Sequence, residues 1–200
     1  MRELEVESRR AQDEALQAYL DQMGQLLLDK DRPLRQSKEG DEVRIVARVR
    51  TLTILSQLNG ERKGNVMRFL LEAGLIRGDL QGSREEWTYP VITLFAADLR
   101  DVDLSTYDWS AMVLTEADLR GANMSVCSLA YAFLTGANLE DGFLVASTLD
   151  GANLNGAYLR GICPQGSSES SLIPSSLWSE GCTLGAVRAA HSSPSSTLTC

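Results

Sequence analysis

The chain has 200 residues, a formal net charge of −8, 44% hydrophobic and 23% charged residues. Those values describe a globular protein of one or two domains with enough apolar residues for a core, and they exclude a charged disordered chain. The first ten residues, MRELEVESRR, lack the apolar stretch of a secretory signal, and no run of 18 apolar residues exists, so the chain reads as cytoplasmic with no membrane span.

Residues 1–40 read as an N-terminal amphipathic helix and linker. Leu16, Tyr19, Leu20, Met23, Leu26 and Leu27 recur at three- and four-residue steps over a helix of residues 2–30. Arg32-Pro33 and Lys38-Glu39-Gly40 end it. Residues 41–91 read as a helical capping domain. Its first helix runs from an N-cap at Asp41 to about Leu58, with Ile45, Val49, Leu52 and Ile54 or Leu55 inward, and Asn59-Gly60 closes it. Its second helix spans about Glu61 to Ala73, with Val66, Phe69 and Leu70 as the apolar side, and Gly74 ends it. Residues 77–94 carry two turn signals and a β-rich end, which predicts a hairpin.

Helix, turn, helix and hairpin is also the order of a winged helix-turn-helix. Residues 44–77 hold seven basic groups, and Arg44, Arg48, Arg62, Lys63 and Arg68 are the candidate nucleic-acid contacts among them. The competing expectation is a solvated helical face on a small capping bundle. The second helix has no face rich in Asn or Gln for reading bases.

From residue 92 a period of five takes over. Leu94, Leu99, Leu104, Trp109, Leu114, Leu119, Met124, Leu129, Leu134, Leu139, Leu144, Leu149, Leu154 and Leu159 form fourteen large apolar residues in unbroken register. Two residues before each sits a second inward position, always small from Ala117 onward, with mostly Asp or Asn between. Side chains i and i+2 share a strand face. The remaining two residues of each pentad must therefore turn the chain, and Gly121, Gly136, Gly151, Gly156 and Gly161 fall there. Four such sides close a square coil of about twenty residues, and coils stack at roughly 4.8 Å.

The pentads Glu116-Ala-Asp-Leu-Arg, Gly121-Ala-Asn-Met-Ser, Gly136-Ala-Asn-Leu-Glu and Gly151-Ala-Asn-Leu-Asn resemble the pentapeptide-repeat family. The resemblance covers residues 92–161 and implies a right-handed quadrilateral β-helix. Ile92, Tyr107, Met112 and Trp109 depart from the pattern in the first coil, where a stack meets its cap. The segments ALQAYLDQMGQLLLDK and DEVRIVARVRTLTILSQLNGERKGNVMRFLLEAGLI resemble the helical region before the pentads in a bacterial group of that family. Many members of the group carry a transmembrane helix just upstream; the resemblance implies a soluble variant or a start that lost the anchor.

Residues 162–200 break the register and are rich in Ser, which reads as a disordered tail, with a linear peptide, a dimerising cap or an altered reading frame as alternatives. The cysteines, Cys127, Cys163, Cys182 and Cys200, match no zinc spacing and read as free thiols. With one histidine, His191, and no phosphate-binding, hydrolase or metalloprotease motif, the sequence points to no enzyme, no cofactor and no metal.

The acidity sits in the repeat: residues 94–161 hold nine carboxylates and three arginines. The leading functional expectation is a scaffold or interaction module with a protein partner, with a homodimer compatible. The alternatives are a DNA-mimicking inhibitor of gyrase, which the family resemblance supplies, and DNA binding through the helical domain. Stacked columns place Arg100, Arg120, Glu140 and Arg160 on one edge, which interrupts the acidic wall a mimic needs.

Overall fold

The computed structural model of the protein describes residues 2–31, 34–78 and 89–162. The expected hairpin tip, the Ser-rich tail, His191 and the cysteines at 163, 182 and 200 lie outside them. Helix α1 runs Arg2–Leu28, a 3-10 turn covers Leu34–Gln36, α2 runs Glu42–Gln57 and α3 runs Gly60–Glu72. Asn59 does not end α2. It is the N-cap of α3, with its side chain accepting from the Arg62 amide.

Beyond the helices the backbone forms nine parallel rungs, from Asp98↔Asp118 to Asn138↔Tyr158, each joining residues twenty apart. Each rung is an isolated bridge, because a pentad leaves no room for a longer strand. Twenty residues per coil means four pentads per coil, so Leu119 lies under Leu99 and Leu139 under Leu119. All fourteen large residues of the register are buried, none more than 6% exposed. The small positions Ala117, Ala122, Ala132, Ala137, Ala152 and Ala157 are buried between them.

The turn residue of every pentad is left-handed, with φ between 55° and 72° from Ala96 to Gly161. Five of these fourteen residues are Gly; the rest include Val126 and Tyr131. A side chain in this conformation costs roughly 1–2 kcal/mol. The coil sustains that cost because its turn amides bond to the next coil, as Val126 N–H does to Val145 O at 2.8 Å.

Helices and coils share one hydrophobic core, running from Tyr19 and Met23 through Leu55, Val66 and Leu70 to Leu159. Tyr19 stands edge-on to Phe69, and its hydroxyl bonds Thr51 Oγ1 at 2.9 Å. The inward face of α2 differs from the sequence expectation. Ala47, Thr51, Ile54 and Leu55 are buried, whereas Ile45 and Val49 are more than half exposed. The helix is rotated because its basic residue Arg48 turns toward the first coil, and Thr51 turns toward α1.

Candidate interaction surfaces

The hydrogen-bond pattern of the coil has a direction. The amides of each large residue and each turn residue donate to the following coil: Leu99 to Asp118 O at 2.8 Å, Asp101 to Arg120 O at 2.9 Å, Leu104 to Asn123 O at 2.8 Å. The carbonyls that receive these bonds flank each large residue. In the first coil the corresponding carbonyls, those of Thr93, Phe95, Asp98, Arg100, Asp103, Ser105, Asp108 and Ser110, have no preceding coil to satisfy them. An open edge of this kind recruits strands unless it is covered.

Cations from the helical region cover four of these carbonyls. Arg48 donates to Thr93 O at 3.3 Å and Phe95 O at 3.4 Å, and to Thr93 Oγ1 at 3.0 Å. Lys63 Nζ donates to Arg100 O at 3.3 Å and pairs with Asp98 Oδ1 at 2.7 Å. Arg77 donates to Asp108 O and pairs with Asp108 Oδ2 at 2.9 Å. Helix α3 approaches closely enough that a Cβ on Gly60 would overlap the Asp101 carbonyl, and one on Gly64 would meet the Asp103 carbonyl at 3.0 Å. The departures of the first coil belong to the same contact: Ile92 and Met112 are buried, and Arg68 lies 5.9 Å over the Tyr107 ring, itself 5.8 Å from Trp109.

The sequence-derived nucleic-acid candidates therefore lie as follows. Lys63 is buried against Asp98, and Arg48 holds the coil edge. Arg62 pairs with Asp13 of α1 at 2.6 Å, Arg44 bonds Ser37 at 3.0 Å, and Arg68 bonds Asn65 besides covering Tyr107. The structure brings these groups together as internal ties among helices and coil. The capping role of Arg48 and Lys63 was not visible in the sequence, because it depends on which coil carbonyls lack partners.

The four walls differ in charge. One wall carries Asp98 and Arg100, Asp118 and Arg120, Asn138 and Glu140, Tyr158 and Arg160 in successive coils. Each of the upper two arginines grips the aspartate two residues before it at 2.7 Å, and Arg100 reaches Asp118 at 3.7 Å. This network holds the Asp98 and Asp118 carboxyls below the usual carboxylate range, chiefly through the Arg100 and Arg120 guanidiniums. The wall of Thr93, Val113, Phe133 and Asn153 carries no charge at its outward positions. The wall of Asp103, Asn123 and Phe143 passes from acidic to apolar down the stack. Cys127 is buried, donates to Met124 O at 3.0 Å, and has its thiol pushed up to about 12 by that burial. Among the described residues no group of His, Cys, Asp and Glu is placed to hold a metal ion, and no helix is long and apolar enough to cross a membrane.

A stack of single-bridge rungs with five-residue sides is a repeat solenoid. Its repeats match the family described as Pentapeptide repeats in eight copies, over residues 94–129, 110–142 and 127–163, so the coil is a pentapeptide-repeat structure. Similar solved structures include HetL, a pentapeptide repeat protein involved in heterocyst differentiation regulation in the cyanobacterium Nostoc. It is 20% identical over 48% of this chain and 34% of its own length, with a TM-score of 0.38. A second pentapeptide repeat protein of Nostoc is 40% identical over 36% of this chain and 59% of its own, with a TM-score of 0.33. A third, Rfr23 of Cyanothece, is 28% identical over 45% of this chain and 74% of its own, with a TM-score of 0.20. The chain thus spans only about a third to three-fifths of the two Nostoc proteins. No curated protein matches it.

Proposed function

We propose that the chain is a non-enzymatic interaction module, a right-handed square coil whose walls are presented to a protein partner from a helical base. The observation that carries this reading is the capped first coil. Arg48, Lys63 and Arg77 tie the helical unit to the coil edge, which makes the walls a rigid surface, and rigid surfaces lose little entropy on binding. The same observation weighs against DNA binding through the helices, because the cations that would meet phosphates already have partners inside the molecule. Gyrase inhibition by DNA mimicry finds less support. The pentads make about 3.5 coils, roughly 17 Å at strand spacing. B-DNA of that length carries about ten phosphates, whereas here arginines neutralise one acidic wall.

The test is a photo-crosslinking amino acid placed in the cell at Thr115, Glu140, Ser125 or Thr148, one on each wall. The expected result is a protein adduct concentrated on one or two neighbouring walls. Absence of adducts from every wall contradicts the interaction-module reading.

A further inference from the structure

Within the interaction-module reading, on which this inference rests, one wall of the coil presents an exposed apolar patch. Val126 is 61% and Phe143 40% exposed. They stand on one wall. Phe143 lies beneath Asn123 in the middle of that wall, and the Val126 amide at its end bonds Val145 O, which sets Val145 beside Val126. Val126 is also left-handed, at φ 55°. A β-branched residue there is a conformational outlier, and neighbouring turns at Gly121, Gly136 and Gly151 show what the coil accepts without strain. The side chain is thus kept at a cost to the backbone while burying little of itself.

The charge around the patch is one-sided. The arginines of the repeat all stand in the column of Arg100, Arg120 and Arg160, on the wall before this one. Asp103 tops the column of Asn123 and Phe143, and Asp101 and Asp141 share the corner preceding it. All three carboxylates are exposed. Among the described residues none of them has a cation within ion-pair distance; Asp103 accepts only from the Ser105 amide and Asn123 Nδ2. An exposed apolar wall edged by carboxylates that form no ion pair, with only Asp101 drawn toward Arg100, disfavours phosphate and anionic lipid. Its complement is a surface with apolar anchors flanked by Lys or Arg.

We propose that the wall of Val126, Phe143 and Val145, topped by Asp103 and edged at its far side by Asp101 and Asp141, docks a cationic amphipathic segment of a partner protein. Apolar anchors of that segment cover Phe143 and Val126, and its basic side chains reach the carboxylates above and beside them.

The test titrates a Leu/Lys amphipathic peptide of about five helical turns into the full chain by fluorescence anisotropy, with a Leu/Glu peptide of the same pattern as control. The expected result is saturable binding of the Leu/Lys peptide alone. Its Kd rises about tenfold, or 1.4 kcal/mol, in Phe143→Ser, and by as much in the double variant Asp103→Asn with Asp141→Asn. Arg120→Ala on the neighbouring wall leaves it unchanged. Val126→Gly weakens binding yet raises the denaturation midpoint, a combination that a purely structural valine does not give. The proposal is overturned if the peptide does not bind, if the Leu/Glu peptide binds equally, or if Phe143→Ser folds normally and binds as before. In-cell adducts confined to Thr115 or Glu140 also overturn it while leaving the interaction-module reading in place.

Discussion

Replacing Lys63 with Met tests the cap at its most buried charge. The Lys63 side chain is 4% exposed, and its ammonium holds Asp98 Oδ1 at 2.7 Å and Arg100 O at 3.3 Å. Removing one member of a buried pair costs about 3–5 kcal/mol when the other is stranded. Asp98 is not stranded, because its side chain is 20% exposed and Arg100 grips both of its oxygens at 3.0 and 2.7 Å. The Arg100 carbonyl does lose its donor, a loss of about 1–3 kcal/mol, and methionine keeps the apolar stem packed. The net expectation is about 2–3 kcal/mol, or about 4–12 °C in Tm for a chain of this size. Denaturation followed by circular dichroism measures it. Arg120→Met is the control, since Arg120 is 48% exposed and such a pair is worth at most about 1 kcal/mol. A Lys63→Met protein within about 0.5 kcal/mol of the parent, or an Arg120→Met loss of equal size, refutes the reasoning.

Gly60→Ala is expected to destabilise the protein by about 1–3 kcal/mol, because the new Cβ meets the Asp101 backbone carbonyl, which no side-chain rotation relieves; thermal melts check it. Leu139→Asp places an unpaired charge in a dry column where Leu139 is fully buried, so it should abolish the folded coil, and a soluble, unchanged variant contradicts the stacked core. The Asp98, Asp108 and Asp118 carboxyls titrate below their ordinary value in the folded protein. Their contribution is therefore complete above the unfolded carboxylate pKa of about 4 and lost as pH falls below it. Urea midpoints between pH 7 and pH 2.5 should fall, and fall less in Asp98→Asn. Burial pushes the Cys127 thiol and the Tyr19 hydroxyl each up to about 12. The stability they contribute is present below their unfolded pKa values, about 8.5 and 10, and is lost as pH rises through those values toward 12. Peptide mapping after alkylation at pH 8 should find Cys127 unmodified until the coil unfolds.

The period of five was legible because every turn forces the same two inward positions, so one register of large and small residues reports the whole stack. The helix spans were legible from apolar spacing and from Gly74. The faces were harder. On α2, Ile45 and Val49 are as apolar as Ile54 and Leu55, and only the coil edge, which draws in Arg48, decides which pair is buried. The basic residues of α2 and α3 resembled a phosphate-binding patch for the same reason. The partners of Arg48 and Lys63 include backbone carbonyls some 35 to 50 residues away, and a carbonyl has no sequence signature. The left-handed turn was visible only where it is Gly; at Ala96, Val126 or Tyr131 the neighbouring coils impose it. The acidic-to-apolar change down one wall becomes apparent only when residues twenty apart are stacked.

The central claim is that the helical unit and the coil are one structure closed at the first coil edge. Native-state hydrogen exchange tests it most directly, by comparing the amides of Val66 and Leu70 in α3 with those of Leu104 and Leu119 in the coil. The account predicts that all four open with the same free energy, and that Lys63→Met lowers all four together. Exchange of the α3 amides through a separate opening of much lower free energy, with the coil amides unaffected by Lys63→Met, would contradict it.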